Sequence, residues 1–313
     1  MKELYCFLTN DVESISLVTN DIKKENAIKV YEQGLPRLLE LYDEFQVRAT
    51  FFFTGEIIEK VPGVIKLIDI KKHEIASHGY SHEVDEAFDV LSFEKQKEHL
   101  IKSKKIIEDL TGQEVTSFRA PALRVNKFTP KALLETGFNI DSSIASQRFD
   151  FFLSFGSIKK LNRFFAPRLP YFTDEKDLTK KGNSEILEIP ISALIFPYIG
   201  TTLRIFPKIT SLVRNLLILE AKFDGKPINF LTHPNEFLDE EIIKLKTKKR
   251  TKNFLSYLLA DKLRYYLKLK NLGLQGLNLY RKEIEWLKMN NFKFVTMKEF
   301  RKLIINKRLK NEG

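Results

Sequence analysis

The hydrophobic and polar positions of the first half of the chain alternate between short apolar runs and longer stretches with helical spacing. The apolar runs predict strands at residues 4–8, 49–53, 74–76, 117–119 and 138–140. The intervening stretches predict helices near residues 27–45, 56–70, 93–110 and 129–135. This alternation is typical of parallel βα units, and strands that are apolar on both faces fit a sheet covered by helices.

The same pattern resumes later in the chain. Further strands are predicted at residues 186–191, 228–231 and 293–295, with helices at residues 277–289 and from Lys298 onward. Seven or eight βα-type strands are enough to close a barrel. Residues 145–183 and 239–276 interrupt the pattern. We interpret both as insertions on one domain that spans residues 1–313.

Length, composition, cysteine count and net charge limit the classes of protein to which this chain can belong. A chain of 313 residues with 43% hydrophobic content can bury one substantial core. The single cysteine, Cys6, excludes a disulfide framework and is expected in the core. We see no secretory signal pattern and no run of 18 apolar residues, so we expect a cytoplasmic protein without a spanning helix. The net charge is +11, but no nucleic-acid-binding motif accompanies it, so we expect no nucleic-acid partner.

Four polar clusters each follow an apolar run directly. They contain Asp11 with Glu13, His78 with His82, Arg119, and His233. The carboxyl ends of parallel strands carry the catalytic residues of such scaffolds, so these side chains are expected at one edge.

Each cluster also has an ordinary structural interpretation. Two carboxylates two residues apart could supply a metal ligand and a base, although Asp also caps helices and turns. Histidines four residues apart can face one metal. An Arg after a strand can hold a carboxylate, and a single His suits a general acid, although a lone Arg or His is more often structural.

Taken in order, these clusters closely resemble the polysaccharide deacetylase (NodB homology) family. The resemblance rests on Ala-Thr-Phe-Phe-Phe-Thr-Gly from residue 49, Glu-Ile-Ala-Ser-His-Gly-Tyr-Ser-His from residue 74, Phe-Arg-Ala-Pro from residue 118 and Leu-Thr-His from residue 231. It implies an α/β fold, a distorted (β/α)7-type barrel, and hydrolysis of an amide-linked acyl group.

Carried over by resemblance, His78 and His82 bind a divalent metal, with zinc favoured, and a carboxylate of the first cluster is the third ligand. The family commonly has two adjacent Asp where this chain has Asp11-Val12-Glu13. We assign Glu13 as the ligand and Asp11 as the general base, and the reverse assignment remains open.

The resemblance also implies three supporting roles. Arg119 would hold the base, His233 would be the general acid, and Asp141 would orient that histidine. The implied function is metal-dependent removal of an N-acyl group, acetyl or formyl, from an amino sugar of a glycan or lipid-linked glycan precursor. The alternatives are an amidohydrolase for a small non-sugar amide and a catalytically silent barrel that binds carbohydrate or lipid.

Residues 241–270 form a basic stretch. They include ten Lys or Arg against two acidic residues, with interleaved aromatic residues. Such a stretch could contact an anionic membrane at its inner face. A solvated basic helix packed on the barrel is the competing interpretation.

Overall fold

The computed structural model describes residues 2–18, 21–83, 85–147, 165–239 and 264–312. Its strands are β1 (Leu4–Val12), β2 (Thr50–Phe53), β3 (Glu74–Ser77), β4 (Ser117–Phe118), β5 (Ile140–Asp141), β6 (Tyr171–Phe172), β7 (Leu187–Glu188), β8 (Ala193–Leu194), β9 (Phe196–Pro197), β10 (Ile228–Thr232) and β11 (Phe292–Phe294). Its α-helices are α1 (Lys24–Lys29), α2 (Leu35–Phe45), α3 (Gly55–Lys60), α4 (Gly63–Lys66), α5 (Phe93–Thr111), α6 (Thr129–Glu135), α7 (Gly200–Ile205), α8 (Pro207–Asp224), α9 (Arg264–Leu269), α10 (Leu274–Met289) and α11 (Met297–Glu312).

The predicted distorted barrel is confirmed as a curled, mostly parallel sheet. The strand order is β10-β1-β2-β3-β4-β5-β7-β6, and β11 pairs with the first part of β1. Among the described strands of this sheet, only β6 is antiparallel to its neighbour, while β8 and β9 form a separate hairpin. No ladder joins β7 to β10 within the described part of the chain. Hydrogen bonds cross that gap instead, from Ser192 N to Asn229 O at 3.0 Å and from Asn229 Nδ2 to Ile189 O at 3.1 Å.

Strand β1 shows how the sequence builds the barrel interior. Successive side chains of a strand point to opposite faces. Phe7 lies in an inner apolar cluster with Phe52 and with Phe300 of α11, so the last helix closes the floor of the barrel. Thr9, two residues further, donates to Asn229 Oδ1 of the neighbouring strand β10 at 3.0 Å. Asp11 continues the same column, which therefore runs from an apolar floor to a polar upper edge.

The other face of β1 packs against the helix layer. Cys6 and Leu8 belong to the large outer core, and burial raises the pKa of the Cys6 thiol. Asn10 accepts a 2.8 Å hydrogen bond from the Tyr42 hydroxyl of α2. The period-two pattern of β1 thus separates a reactive face from a packing face.

The structure differs from the predicted elements in several places. The helix predicted at 27–45 contains a π-helical turn, Val30–Gly34, and the one predicted at 56–70 divides into α3 and α4 around Pro62, whose missing N–H interrupts helices. The strand predicted at 186–191 is shorter, and that at 293–295 shifts by one residue. Helix α8 and the β8–β9 hairpin were not predicted.

The two predicted insertions are described in part. Residues 165–183 contain β6, and residues 264–269 form α9, whereas residues 148–164 and 240–263 lie outside the described part. Most of the basic stretch 241–270 is therefore not described. Among the described residues, no helix has both the length and the apolar character needed to cross a membrane.

Candidate active site

The structure brings six of the predicted side chains together at the carboxyl edge of the sheet. They come from the end of β1, the loop after β3, the end of β4 and the end of β10, and they are Asp11, Glu13, His78, His82, Arg119 and His233. In-register parallel pairing of β1 with β2, β2 with β3 and β1 with β10 aligns these strand ends. The topology rule for parallel scaffolds correctly predicts this edge.

Glu13, His78 and His82 form a compact set of donor atoms. Glu13 Oε2 lies 3.3 Å from His82 Nε2 and 3.9 Å from His78 Nε2. One donor atom from each residue lies within 4.8 Å of the other two. Glu13 Oε2 is buried and has no hydrogen-bond partner among the described residues. An orphaned carboxylate oxygen facing two imidazole nitrogens fits a divalent metal, and two His with one carboxylate is a donor set of catalytic zinc sites.

The tautomer of His78 is fixed by its backbone contact. Its Nδ1 lies 2.8 Å from the carbonyl oxygen of Arg119, and a carbonyl can only accept a hydrogen bond. Nδ1 therefore carries the proton, and Nε2 presents its lone pair to the donor set. Burial lowers the pKa of His78 against the opposing charges of Asp11 and Glu13. The neutral imidazole is the form that binds a metal.

Asp11 is held at one oxygen and open at the other. Arg119 donates from Nη1 to Asp11 Oδ1 at 2.8 Å. The second oxygen, Oδ2, lies 3.6 Å from His78 Nε2 and 3.8 Å from His233 Nε2. Burial raises the pKa of Asp11, but electrostatic interactions with His78, Arg119 and His233 outweigh burial, and the net pKa is lowered. An ionised carboxylate with a free oxygen beside the donor set can accept a proton.

Arg119 is itself completely buried and satisfied. Its guanidinium donates to Ser142 O at 3.0 Å, to Ser142 Oγ at 2.8 Å and to Thr9 Oγ1 at 3.0 Å, and it stacks over Phe52 at 4.3 Å. A buried charge needs such partners to be tolerated. These three supporting residues were missed from sequence, because the contacts join four separate strands.

His233 follows β10 and has a second carboxylate beside it. Glu236 Oε2 lies 3.9 Å from His233 Nδ1 and accepts a 3.3 Å hydrogen bond from the His233 backbone N–H. Burial lowers the pKa of His233, but Glu236, Glu13 and Asp11 together outweigh burial and raise it to about 9. The imidazolium is therefore the favoured form at neutral pH.

Glu236 is anchored from its far side. It is fully buried, its Oε1 accepts from Arg204 at 3.2 Å and from Thr201 Oγ1 at 2.7 Å, and burial is outweighed so that its pKa falls to about 2. Gly200 leaves the space for this carboxylate, since an added Cβ would overlap Glu236 Oε2. Sequence reasoning missed Glu236, although an acid three residues after His233 was the available signal.

Asp141 does not occupy the position expected of it. Its neighbours Ile140 and Ser142 face the barrel interior, in contact with the inner core and with Arg119. Asp141 therefore points to the opposite face of β5. There it accepts from Ser143 Oγ at 2.7 Å, and it interacts with Glu188. Within the described residues, Glu236 rather than Asp141 is the carboxylate at Nδ1 of His233.

Comparison with known proteins agrees with this geometry. Residues 10–140 match the family model described as "Polysaccharide deacetylase". The chain is 36% identical over 118 residues to the peptidoglycan deacetylase of Helicobacter pylori, covering 38% of this chain and 39% of that protein. It is 32% identical over 90 residues to a peptidoglycan-N-acetylglucosamine deacetylase of Bacillus cereus, covering 28% and 30%. The matched part is thus well under half of these curated relatives.

Solved structures share the fold over nearly the whole chain. A Mycobacterium smegmatis protein assigned as a polysaccharide deacetylase superposes with a TM-score of 0.65 at 20% identity, covering 98% of this chain and 92% of that one. Puue allantoinase gives 0.61 at 16% identity, covering 96% and 90%. Five of the six strand-end residues, all except His233, lie within residues 10–140, the segment that matches the polysaccharide deacetylase family model.

Proposed function

We propose that this protein is a metal-dependent hydrolase that removes an N-acyl group from an amino sugar of a glycan. The observation that carries the proposal is the position of the donor set Glu13, His78 and His82 beside the open oxygen of Asp11 and the imidazole of His233. A hydrolase of this kind needs a metal site, a base and an acid around one space. These residues supply candidates for each.

Glu13, His78 and His82 would hold the metal, and zinc fits this donor set best. When bound, such a metal polarises the acyl carbonyl and lowers the pKa of a water molecule. Glu13 is favoured over Asp11 as the third ligand because its Oε2 has no partner and faces both histidines, whereas Asp11 Oδ1 is engaged by Arg119.

Asp11 would act as the general base through Oδ2, because Arg119 holds Oδ1 and keeps the carboxylate ionised. His233 would act as the general acid through Nε2, which lies 3.8 Å from the same Asp11 oxygen. The base and the acid then face one reacting centre from two sides. Protonation of the leaving amine by His233 is needed because an amide nitrogen leaves poorly as an anion. Glu236 would orient His233, in the role expected of Asp141.

The curated relatives suggest the first substrates to test. Their names specify peptidoglycan and its N-acetylglucosamine units. An N-acetylated amino-sugar polymer is therefore our preferred substrate, and lipid-linked glycan precursors come second. The similarity to Puue allantoinase concerns the fold alone. Hydrolysis of a small cyclic amide is therefore ranked second among the candidate functions.

Acetate release from N-acetylglucosamine oligomers and peptidoglycan fragments tests the proposal, with allantoin as a parallel substrate. The zinc-loaded full chain should release acetate from an amino-sugar substrate, and Asp11→Asn should not. If the protein hydrolyses allantoin but no amino-sugar substrate, hydrolysis of a small cyclic amide becomes the supported function. Retention of zinc without turnover of either substrate class would favour a silent binding barrel.

The location and membrane contact expected from sequence also remain predictions. The cytoplasmic assignment rested on sequence patterns alone. Contact of residues 241–270 with an anionic membrane rests on their charge and aromatic content, and residues 240–263 lie outside the described part of the chain. Neither prediction is needed for the chemistry.

A further inference from the structure

Helix α8 carries an exposed apolar strip along the flank of the barrel. Five large hydrophobic side chains point to solvent, with exposed fractions between 43% and 87%, and they are Ile209, Leu212, Leu216, Leu219 and Phe223. The opposite face of the same helix packs on the barrel through Val213, Leu217 and Ala221. Helix α8 is thus apolar on both faces. The largest apolar patch on an ordinary monomer is roughly 300–600 Å², and five such side chains form a strip of at least that order.

The surroundings of the strip extend the apolar surface. Arg168 donates to Glu220 of α8 at 2.6 Å and to Ala193 O of β8 at 3.2 Å. These bonds bring Arg168 and the β8–β9 hairpin against the same helix. Ile195 at the turn of that hairpin is 64% exposed. A surface of this size is expected to have a partner.

The spacing of the strip identifies the kind of partner. The five positions follow each other at intervals of three, four, three and four residues. This is the repeat by which one helix packs along another in a left-handed pair. A two-fold axis perpendicular to α8, passing near Leu216, would place Leu212 against Leu219 of a second copy and Ile209 against Phe223. Such an isologous contact matches the strip to itself.

Charges at the two ends of the helix favour the same arrangement. Lys208 is exposed at the first turn and Asp224 is exposed at the last residue. Antiparallel pairing about Leu216 brings Lys208 of each copy beside Asp224 of the other.

We propose that the protein forms a two-fold symmetric dimer through antiparallel pairing of its α8 helices. Each partner buries the strip of the other, and each active site remains complete within one chain. An ordinary stable interface covers about 800 Å² on each partner, and the strip together with Ile195 can supply an area of that order. The proposal is independent of the catalytic assignment, because none of its residues belongs to the site at the carboxyl edge.

Sedimentation velocity of the full chain over a range of concentrations tests the dimer. The wild-type protein should sediment as a dimer at micromolar concentration. The double variant Leu212→Glu/Leu219→Glu places acidic groups against each other across the axis and should weaken association by at least a hundredfold. The matched control Ile101→Glu/Leu303→Glu changes two comparably exposed side chains on α5 and α11 and should leave the dimer intact. Circular dichroism melting checks that all variants fold.

A cysteine pair tests the register directly. Cys6 is fully buried, so a new surface cysteine is the accessible thiol. Under mild oxidation, Leu216→Cys should form a disulfide-linked dimer because the two copies of residue 216 meet at the axis. Ile209→Cys should not, because its two copies would lie about 20 Å apart at 1.5 Å per residue. A protein that is monomeric at all concentrations would overturn the proposal. This holds whether the monomer binds anionic vesicles or covers the strip with its own residues 148–164. A dimer that survives Leu212→Glu/Leu219→Glu would overturn it too.

Discussion

The backbone carbonyl of Arg119 accepts the Nδ1 proton of His78 at 2.8 Å, while the guanidinium of the same residue holds Asp11. One residue at the end of β4 therefore fixes the histidine tautomer in which Nε2 carries no proton, and also the orientation of the neighbouring acid. The two functions use different atoms. A side-chain substitution at Arg119 can remove the second function while leaving the first in place.

We expect His82→Ala and Glu13→Gln each to weaken zinc binding by more than about a hundredfold, since even outer-shell partners of metal ligands contribute 10–100-fold. Isothermal titration of the metal-free protein measures the affinity. His73→Gln is the control, because His73 is buried against Tyr42 and Phe51 away from the donor set. Near-normal affinity in both ligand variants would rule out this metal site.

We expect Asp11→Asn to retain zinc and to lower turnover by roughly 10²–10⁴-fold, the usual contribution of a general base. The amide oxygen of Asn can still accept from Arg119, so the fold should persist. Metal content and initial rates are measured on the same preparation. If Asp11→Asn loses the metal while Glu13→Gln retains it, the two acids have exchanged roles.

Glu236→Gln is expected to shift the alkaline limb of the rate profile towards lower pH. Glu236 raises the pKa of His233, which lies at about 9, and the acid is active only when protonated. Activity should therefore persist to high pH in the wild-type enzyme and fall at lower pH in the variant, by about one unit for each 1.4 kcal/mol of lost interaction. The pH dependence of kcat measures the shift, and zinc content should not change.

Two further variants isolate this effect. Glu283→Gln changes another buried carboxylate, paired with Arg214 at 2.9 Å, and should leave the limb in place. Gly200→Ala should imitate Glu236→Gln without altering an ionisable group, because the new methyl group displaces the Glu236 carboxylate. An unchanged limb in both Glu236→Gln and Gly200→Ala would leave Glu236 with only a structural role.

Glu188→Gln is expected to change the pH dependence of stability. Burial, and then Asp141, raise the pKa of Glu188 well above its ordinary value. The protonated Glu188 carboxyl is compatible with burial, so its contribution to stability is fully present below the pKa of the unfolded chain, about 4.3. That contribution is lost as pH rises through the higher pKa of the folded state. The variant should therefore gain stability relative to wild type between pH 4.5 and pH 8, on the order of 1 kcal/mol.

Urea unfolding at the two pH values measures this difference. Gln also supplies an N–H group where Glu188 Oε2 has no partner among the described residues. The exposed Glu32→Gln is the control and should show no pH-dependent change. If Glu188→Gln changed the free energy of unfolding equally at both pH values, the Asp141–Glu188 pair would carry no extra proton.

Much of the fold could be predicted because the first half obeys simple rules. Continuous apolar runs, separated by stretches with helical periodicity, predict a parallel sheet covered by helices. Pro62 explains why the helix predicted at residues 56–70 divides into two. Helix α8 was missed for a physical reason. It presents one apolar face to the barrel and another to solvent, so only the narrow polar stripe of Lys208, Ser211, Asn215 and Lys222 remains in place of the broad polar face that marks an amphipathic helix.

The site was predictable where function follows strand ends and was missed where it depends on contacts. Asp11, Glu13, His78, His82, Arg119 and His233 all follow apolar runs directly. Glu236 approaches His233 only because Pro234–Phe237 forms a 3₁₀ turn. Asp141 was misplaced because a one-residue step along a strand reverses the face, and two-residue strands give too little pattern to assign it.

The matched segment 10–140 has a consequence for how variation in this chain should be interpreted. It contains the donor set, the proposed base Asp11 and Arg119, whereas His233, Glu236, Arg204 and all of α8 lie after it. Under the proposed roles, the part shared with relatives would activate the attacking group, and the remaining part would govern departure of the amine and contact with a second copy of the chain. A chimera that exchanges residues beyond 140 between two relatives should retain metal affinity and exchange substrate preference.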